Sequence, residues 1–349
     1  MTDNPNVVTK ERLFGDVNRW RRFGEPAPAT LDDPGMFGPD TLTWKMLLHP
    51  ATSVFQFAFQ QKLQLSNRAI AAGIRDADTI ARKARAGTMN IFDVFDRGQR
   101  NSGIHAPMWF GDTPTAEKVA KHLMNIHRWV GGGVIDAGEP ELGNYAANTD
   151  RESMWATITE MTSVLWLYET FAFRDGQAPH RLSDEDRDRF VAEQGKYIRL
   201  FPHVEEEIPT TYQELLDLYT EYEHYFAFSS TMDIYPPTGL AMRPIQEKSM
   251  LKNIHWTQFR VLKPLNTFMF KFDTAINGAF PEWAQEYLGL TAGDKRKAAK
   301  ALTKQMPLIG KMQQPDKVGY YRRIMWGPDA MDLMSAAENL TAQSTGVPA

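Results

Sequence analysis

Residues 96–133 read DRGQRNSGIHAPMWFGDTPTAEKVAKHLMNIHRWVGGG, and the second half of that stretch decides the fold class. Thr113 offers an N-cap, Pro114 suits a first helical position, and Gly131, Gly132 and Gly133 offer a stop, since glycine accepts the left-handed conformation after a helix. Between them Ala116, Val119, Ala120, Leu123, His127 and Val130 recur at helical spacing on one face. Lys118, Lys121, His122, Asn125 and Arg128 fall mostly on the other. The pattern predicts an amphipathic helix with His127 inward near its end. Two readings of that histidine stay open at this point. One is a core histidine satisfied by a carbonyl. The other is a ligand, because neutral imidazole in apolar surroundings is a good axial donor to iron.

Outward from this helix the chain keeps the same character. Asp40 or Thr41 opens a helical region broken or kinked at Pro50, whose second half carries Phe55, Phe57, Phe59 and Leu63. His49, just before Pro50, is a secondary candidate for chemistry. Residues 76–100 predict a short basic helix, a break at Gly87, and a second helix bearing Ile91, Val94 and Phe95. Arg97, Arg100 and Asn101 are expected at its C-terminal end, where cations suit the helix dipole. An anion is the functional alternative for that cluster. Asp93 and Asp96 read as members of a solvated helix face.

Thr149 with Glu152, and Thr211 with Glu214, predict capping boxes. The helix after Thr149 is expected to run to about Phe173, with Trp155, Ile158, Thr162, Leu165 and Trp166 on one face. Buried hydroxyls such as Thr162 are expected to bond back to their own helix. Ser183 starts another helix that Pro202 ends. Residues 228–245 read as a long turn-rich connection. Helix is expected again over 249–277 with a kink at Pro264, and then in two further amphipathic stretches closing near Gly310. Strand signals are scarce. The expected organisation is an irregular arm over 1–40, one compact all-helical domain over 41–334, and a fraying tail over 335–349.

Composition narrows the function classes. The chain has 349 residues, 42% hydrophobic and 23% charged, with a formal net charge of −4. That balance, with no basic stripe, speaks against a nucleic-acid partner. There is no cysteine, which excludes disulfides, iron–sulfur clusters and thiolate-ligated haem or zinc. No stretch reaches the ~18 apolar residues of a membrane span. The opening MTDNPNVVTKERLFGD lacks the apolar core of a secretory signal, so a cytoplasmic location is expected. No phosphate loop, HExxH, GxSxG or repeat is present.

Several short motifs in order carry a resemblance. They are Arg97, Arg100 and Asn101 in R-G-Q-R-N, then Gly111, then N-I-H-R-W-V-G-G around His127, then G-N-Y-A-A-N and L-Y-E-T-F-A-F. Together, over Thr43 to Glu223, the chain resembles the MpaB-type oxygenase family, which includes the latex-clearing protein, a rubber oxygenase. The resemblance implies an all-helical bundle with haem b between helices. It implies His127 as proximal iron ligand and Arg97 beside the haem, paired with a propionate or polarising oxygen.

Three departures accompany the resemblance. Asn101 stands where the family has threonine. Arg100 stands where the latex-clearing protein has a lysine able to approach iron, and arginine cannot ligate in that way. Trp155 stands where many relatives have the histidine of Trp-Val-His. A rubber substrate is not expected without a secretion signal.

The implied activity is dioxygen activation at histidine-ligated haem iron, with oxygen inserted into a small apolar, unsaturated, isoprenoid or lipid-like substrate. Arg97 and Arg100 are the expected catalytic residues. His127, Arg97, Asn101, Leu123, Trp155 and Thr162 are the expected cofactor-side residues. The alternatives are a non-catalytic haem- or lipid-binding protein on the same fold, and a helical interaction protein in which His127 is merely core. A non-haem 2-His-1-carboxylate iron site would need His105 or His49 as a second ligand.

Overall fold

The most deeply buried long helix among the described residues is Asp150–Phe171, of whose 22 residues 18 are buried. A helix buried on all sides must satisfy its polar side chains internally. It does so by bonding backwards: Thr157 to the Ser153 carbonyl at 3.1 Å, Thr159 to Trp155 at 2.7 Å, and Thr162 to Ile158 at 2.7 Å. The computed structural model describes residues 24–226, 234–235, 240–241 and 272–345. The expected connection over 228–245 and the expected kink at Pro264 fall largely or wholly outside them.

In chain order the helices are α1 (Leu42–Leu48), α2 (Pro50–Ser66), α3 (Arg68–Ala77), α4 (Thr79–Ala86), α5 (Ile91–Phe110) and α6 (Thr113–His127). They continue as α7 (Asp150–Phe171), α8 (Asp184–Glu193), α9 (Gly195–Ile198), α10 (Tyr212–Glu221), α11 (Glu282–Tyr287), α12 (Ala292–Met312), α13 (Pro315–Trp326) and α14 (Pro328–Thr345). Two antiparallel ribbons of two-residue strands, Gly131–Gly132 with Tyr145–Ala146 and Ile234–Tyr235 with Leu240–Ala241, are the strands among the described residues. The fold is mainly helical, as expected.

Helix α2 lies along α7, with Phe55 and Phe59 each meeting the Phe171 ring edge-on at 5.0 Å. Helices α13 and α14 cover α5 from the other side. Pro50 sits at the start of α2, and His49 ends one helix and caps the next, so the predicted break is a true helix boundary. Gly87 closes α4 in the left-handed conformation at φ 67°.

Several local expectations are corrected. Helix α5 does not end near Asn101 but continues through His105 to Phe110, with Pro107 accommodated in its last turn. Arg97, Arg100 and Asn101 therefore sit mid-helix, where the terminal dipole does not act on them. The cap of α6 is Asp112, whose carboxylate accepts from the Thr115 N–H at 2.9 Å, one residue earlier than expected. Gly111 precedes it because a Cβ there would stand 2.3 Å from the Pro107 carbonyl oxygen. Helix α6 ends at His127 by its own turn, and Gly131 and Gly132 pair as a strand instead of forming a left-handed cap. Thr149 caps α7 without accepting from a helix N–H, since its hydroxyl meets the Glu152 carboxylate and the Ala146 carbonyl, the latter at 3.0 Å. The Thr211–Glu214 box forms as predicted.

The arm is irregular over residues 24–40, yet Ala29, Met36 and Phe37 are buried against the core. The expected tail is the larger correction. Through Thr345 it is the second half of α14, with Ala337 and Leu340 buried. Its small apolar residues fit a helix packed on α5, which a composition reading mistakes for a fraying end.

Candidate active site

The continuation of α5 creates the site. Arg97, Asn101 and His105 stand four residues apart on one helix and so share a face. That face is polar in the middle of the bundle, and each group has a partner. Arg97 Nε donates to Asp78 Oδ2 at 2.6 Å, where Asp78 is also the N-cap of α4. Arg97 Nη1 reaches Asn101 Oδ1 at 3.4 Å, and Asn101 Nδ2 donates to Gln60 Oε1 at 3.2 Å. Gln56 donates to the same Gln60 oxygen at 2.7 Å.

The other end of the face is ionic. His105 Nδ1 lies 2.7 Å from the Asn101 carbonyl, and Nε2 lies 2.7 Å from Glu160 Oε2. Glu160 also accepts from the Tyr197 hydroxyl at 3.1 Å. Both ring nitrogens of His105 thus face acceptors, the arrangement an imidazolium requires. Burial alone would lower its pKa, but the Glu160 carboxylate outweighs this and holds it above the ordinary histidine value.

His127 closes the site from α6. It is half-buried, and its Nδ1 is shut from solvent with no hydrogen-bond partner. Burial depresses its pKa to about 4; the Ala147 backbone offsets this in part, and the positive charges of Arg97 and His105 reinforce it. His127 is therefore neutral at ordinary pH, with a lone pair to offer. Among the described residues it is the one histidine with a buried, unpartnered ring nitrogen. Leu123, one turn earlier, is partly buried against the core, and Met124 beside it meets Ser153 of α7 at 3.8 Å.

The other candidates lie elsewhere. His49 Nδ1 accepts from the Ala51 N–H at 3.1 Å and so caps α2, and Nε2 faces the Phe173 carbonyl at 3.3 Å just past the end of α7, so both its nitrogens are spent on the fold. Arg100 pairs with Asp96 at 3.0 Å along α5, and both are partly exposed. Asp93 completes the cap of α5 with Asn90 and is not on a free face. No three His, Cys, Asp or Glu side chains among the described residues converge as ligands for one metal ion, so a facial triad built on His49 or His105 has no donor set there.

Trp155 and Thr162 are not brought to His127. Trp155 packs into Tyr219, Tyr222 and Phe226, with ring centroids 5.0, 5.3 and 4.9 Å away. Thr162 borders a cavity of about 20 Å³ with Phe190, Val191 and Leu215. Both point to the α8–α10 side of α7, whereas Glu160 points to α5. The readable signals for the unpredicted members were the four-residue spacing through His105 and a lone glutamate inside an apolar helix. Gln56, Gln60, Asp78 and Tyr197 had no such signal.

No curated protein and no solved structure matches the chain. The family described as ER-bound oxygenase mpaB/B′/rubber oxygenase, catalytic domain, matches residues 44–310. This span holds every residue of the polar face and His127, and it extends past the Thr43–Glu223 region in which the motifs were recognised. Among the described residues no helix is long and apolar enough to cross a membrane. With most of its length inside the match, the chain belongs to this family of oxygenases.

Proposed function

We propose that this protein is a haem b-dependent oxygenase acting on a small apolar, unsaturated substrate of isoprenoid or lipid-like character, with His127 as the iron ligand. The observation that carries the reading is the buried, unpartnered Nδ1 of a neutral His127, within the electrostatic reach of Arg97 and His105. An orphaned buried nitrogen costs stability unless something accepts its lone pair, and iron does so well. The residues present thus fit a haem. When bound, haem b supplies the redox chemistry that activates dioxygen for insertion into an alkene.

The chain's own residues prepare that site. Asp78 and Asn101 fix the Arg97 guanidinium, which would offer its remaining donors to an anionic group of the cofactor. Arg100 keeps its proton and acts only as a charge. Asn101 hands its amide to Gln60 and so holds α5 against α2. Leu123 keeps water from the His127 side. His105 holds a proton against Glu160 at the inner end of the face. Trp155 and Thr162 serve the cofactor indirectly, by fixing α7 from its far side.

The test is an absorption spectrum of the purified protein with pyridine extraction, beside His127→Ala. A Soret band lost or shifted in the variant supports the assignment. Absence of haem in both, even after reconstitution, removes it. A second reading, a haem- or lipid-binding protein without turnover, draws on one observation: the Arg97 charge is already met by Asp78 at 2.6 Å. Oxygen consumption with a panel of unsaturated lipids separates the two.

A further inference from the structure

Tryptophan is normally the residue a fold hides. Five of the nine here, Trp44, Trp109, Trp155, Trp166 and Trp326, are among the largest fully buried side chains. Trp129 is 81% exposed, and Ile126, one turn before it, is 45% exposed. These are two of the four exposed large hydrophobic residues among those described, and they adjoin one another. Their display is not loose. The Trp129 N–H bonds to the Ile126 carbonyl at 3.1 Å, and the Val130 N–H bonds to His127 at 2.8 Å. The Val130 carbonyl in turn accepts from Ala147 at 2.8 Å, so the tip is clamped to the start of the β-ribbon.

The exposed charge along this segment is mostly positive. Lys118, Lys121 and Arg128 are exposed on the same helix and its cap, and the Arg128 guanidinium sits 5.9 Å from the Trp129 ring centroid. Between Thr115 and Gly133 the one acidic residue is Glu117. An exposed tryptophan and isoleucine rimmed by cations suit an interface that is apolar inside and anionic at its rim, as an anionic lipid surface is. Gly131, Gly132 and Gly133 follow as an exposed segment without side-chain bulk.

We propose that the C-terminal end of α6, with Ile126 and Trp129 inserted, Arg128 beside them and Lys118 and Lys121 farther up the same helix, docks the protein on an anionic lipid surface. The contact lies next to His127, at the edge where an apolar substrate drawn from that surface would arrive. That second point rests on the oxygenase reading; the docking itself does not, and it is tested without haem or turnover.

The experiment is flotation of the full-length protein with vesicles of phosphatidylcholine alone or mixed with phosphatidylglycerol. The wild type is expected to float with the mixed vesicles and to be released by salt. Ile126→Asn with Trp129→Ala is expected to lower partitioning by about tenfold or more, with an unchanged circular dichroism melt. Lys118→Glu with Lys121→Glu is expected to abolish the preference for the anionic vesicles. Trp129→Phe keeps flotation and loses the part of the fluorescence quenched by brominated lipid, which identifies the inserted residue even if the double variant folds poorly. Wild-type protein that stays in solution with both vesicles overturns the proposal. So does a Trp129→Phe protein quenched like the wild type. Self-association in place of flotation, lost in the double variant, gives the patch to a second copy and overturns it as well.

Discussion

His105 on α5 and Glu160 on α7 meet at 2.7 Å inside the bundle, with side chains 10% and 5% exposed. A buried charge pair is a weak net stabiliser, but removing one partner strands the other. Glu160→Gln is therefore expected to cost about 3–5 kcal/mol, read from the denaturant midpoint. It also takes away the carboxylate that holds the His105 pKa above its ordinary value. A folded Glu160→Gln protein whose His105 still titrates above that value would show that the charge is held elsewhere.

The same histidines predict a pH dependence with two opposing limbs. The folded His105 pKa is raised, so its contribution to stability is complete below its ordinary value of 6.5 and is lost as pH rises through the folded value. His49 and His127 are depressed to about 4 from 6.5, so the unfolded chain takes up protons there that the folded chain refuses. Their contribution is complete above 6.5 and falls between 6.5 and about 4, by at most about 1.4 kcal/mol per pH unit for each group. Denaturation across that window should show the acid limb, and His127→Gln should remove about half its slope. An unchanged acid limb would mean that His127 is not held neutral by burial.

The helices were readable because periodicity and caps are local. The Thr211–Glu214 box and the left-handed Gly87 follow from a few residues each. The end of α5 was not readable, because Gly103 and Pro107 signal a break that packing against α13 and α14 overrides. That one misplaced boundary hid the site. With α5 ended near Asn101, His105 drops out of the row headed by Arg97, and nothing then points to Glu160 far along the chain. His127 was legible as an inward histidine on an apolar face. That its Nδ1 has no partner depends on how the rest of the chain packs around the ring, and no local pattern encodes that.

Arg97 joins Asp78 at the start of α4 to Asn101 within α5, which fixes a partly buried positive charge whose field helps depress the His127 pKa. If it anchors a propionate, Arg97→Ala forfeits a charge-assisted bond of about 1.5–3 kcal/mol, so haem is expected to dissociate about tenfold faster or more. Transfer of haem to an apo-globin acceptor measures this directly. Arg97→Lys should recover only part of the loss, since lysine keeps the charge but not the paired donors that reach Asp78 and a second acceptor together. Transfer at the wild-type rate in Arg97→Ala would remove Arg97 from the cofactor side.

Trp155 gives the sharpest separation of a structural from a cofactor-side role. Its ring lies within 5.3 Å of the Tyr219, Tyr222 and Phe226 rings, on the side of α7 turned away from Glu160. Trp155→Ala should open a cavity there and cost about 3–5 kcal/mol. The haem absorption bands of the folded variant are expected to match those of the wild type, because the ring contacts of Trp155 are made with this aromatic cluster. Trp155→Phe, which keeps a ring in the cluster, should recover most of the lost stability. If instead the Soret band shifts in Trp155→Phe while its stability is unchanged, the haem meets α7 on its α8–α10 side, and the polar row from Arg97 to His105 is structural.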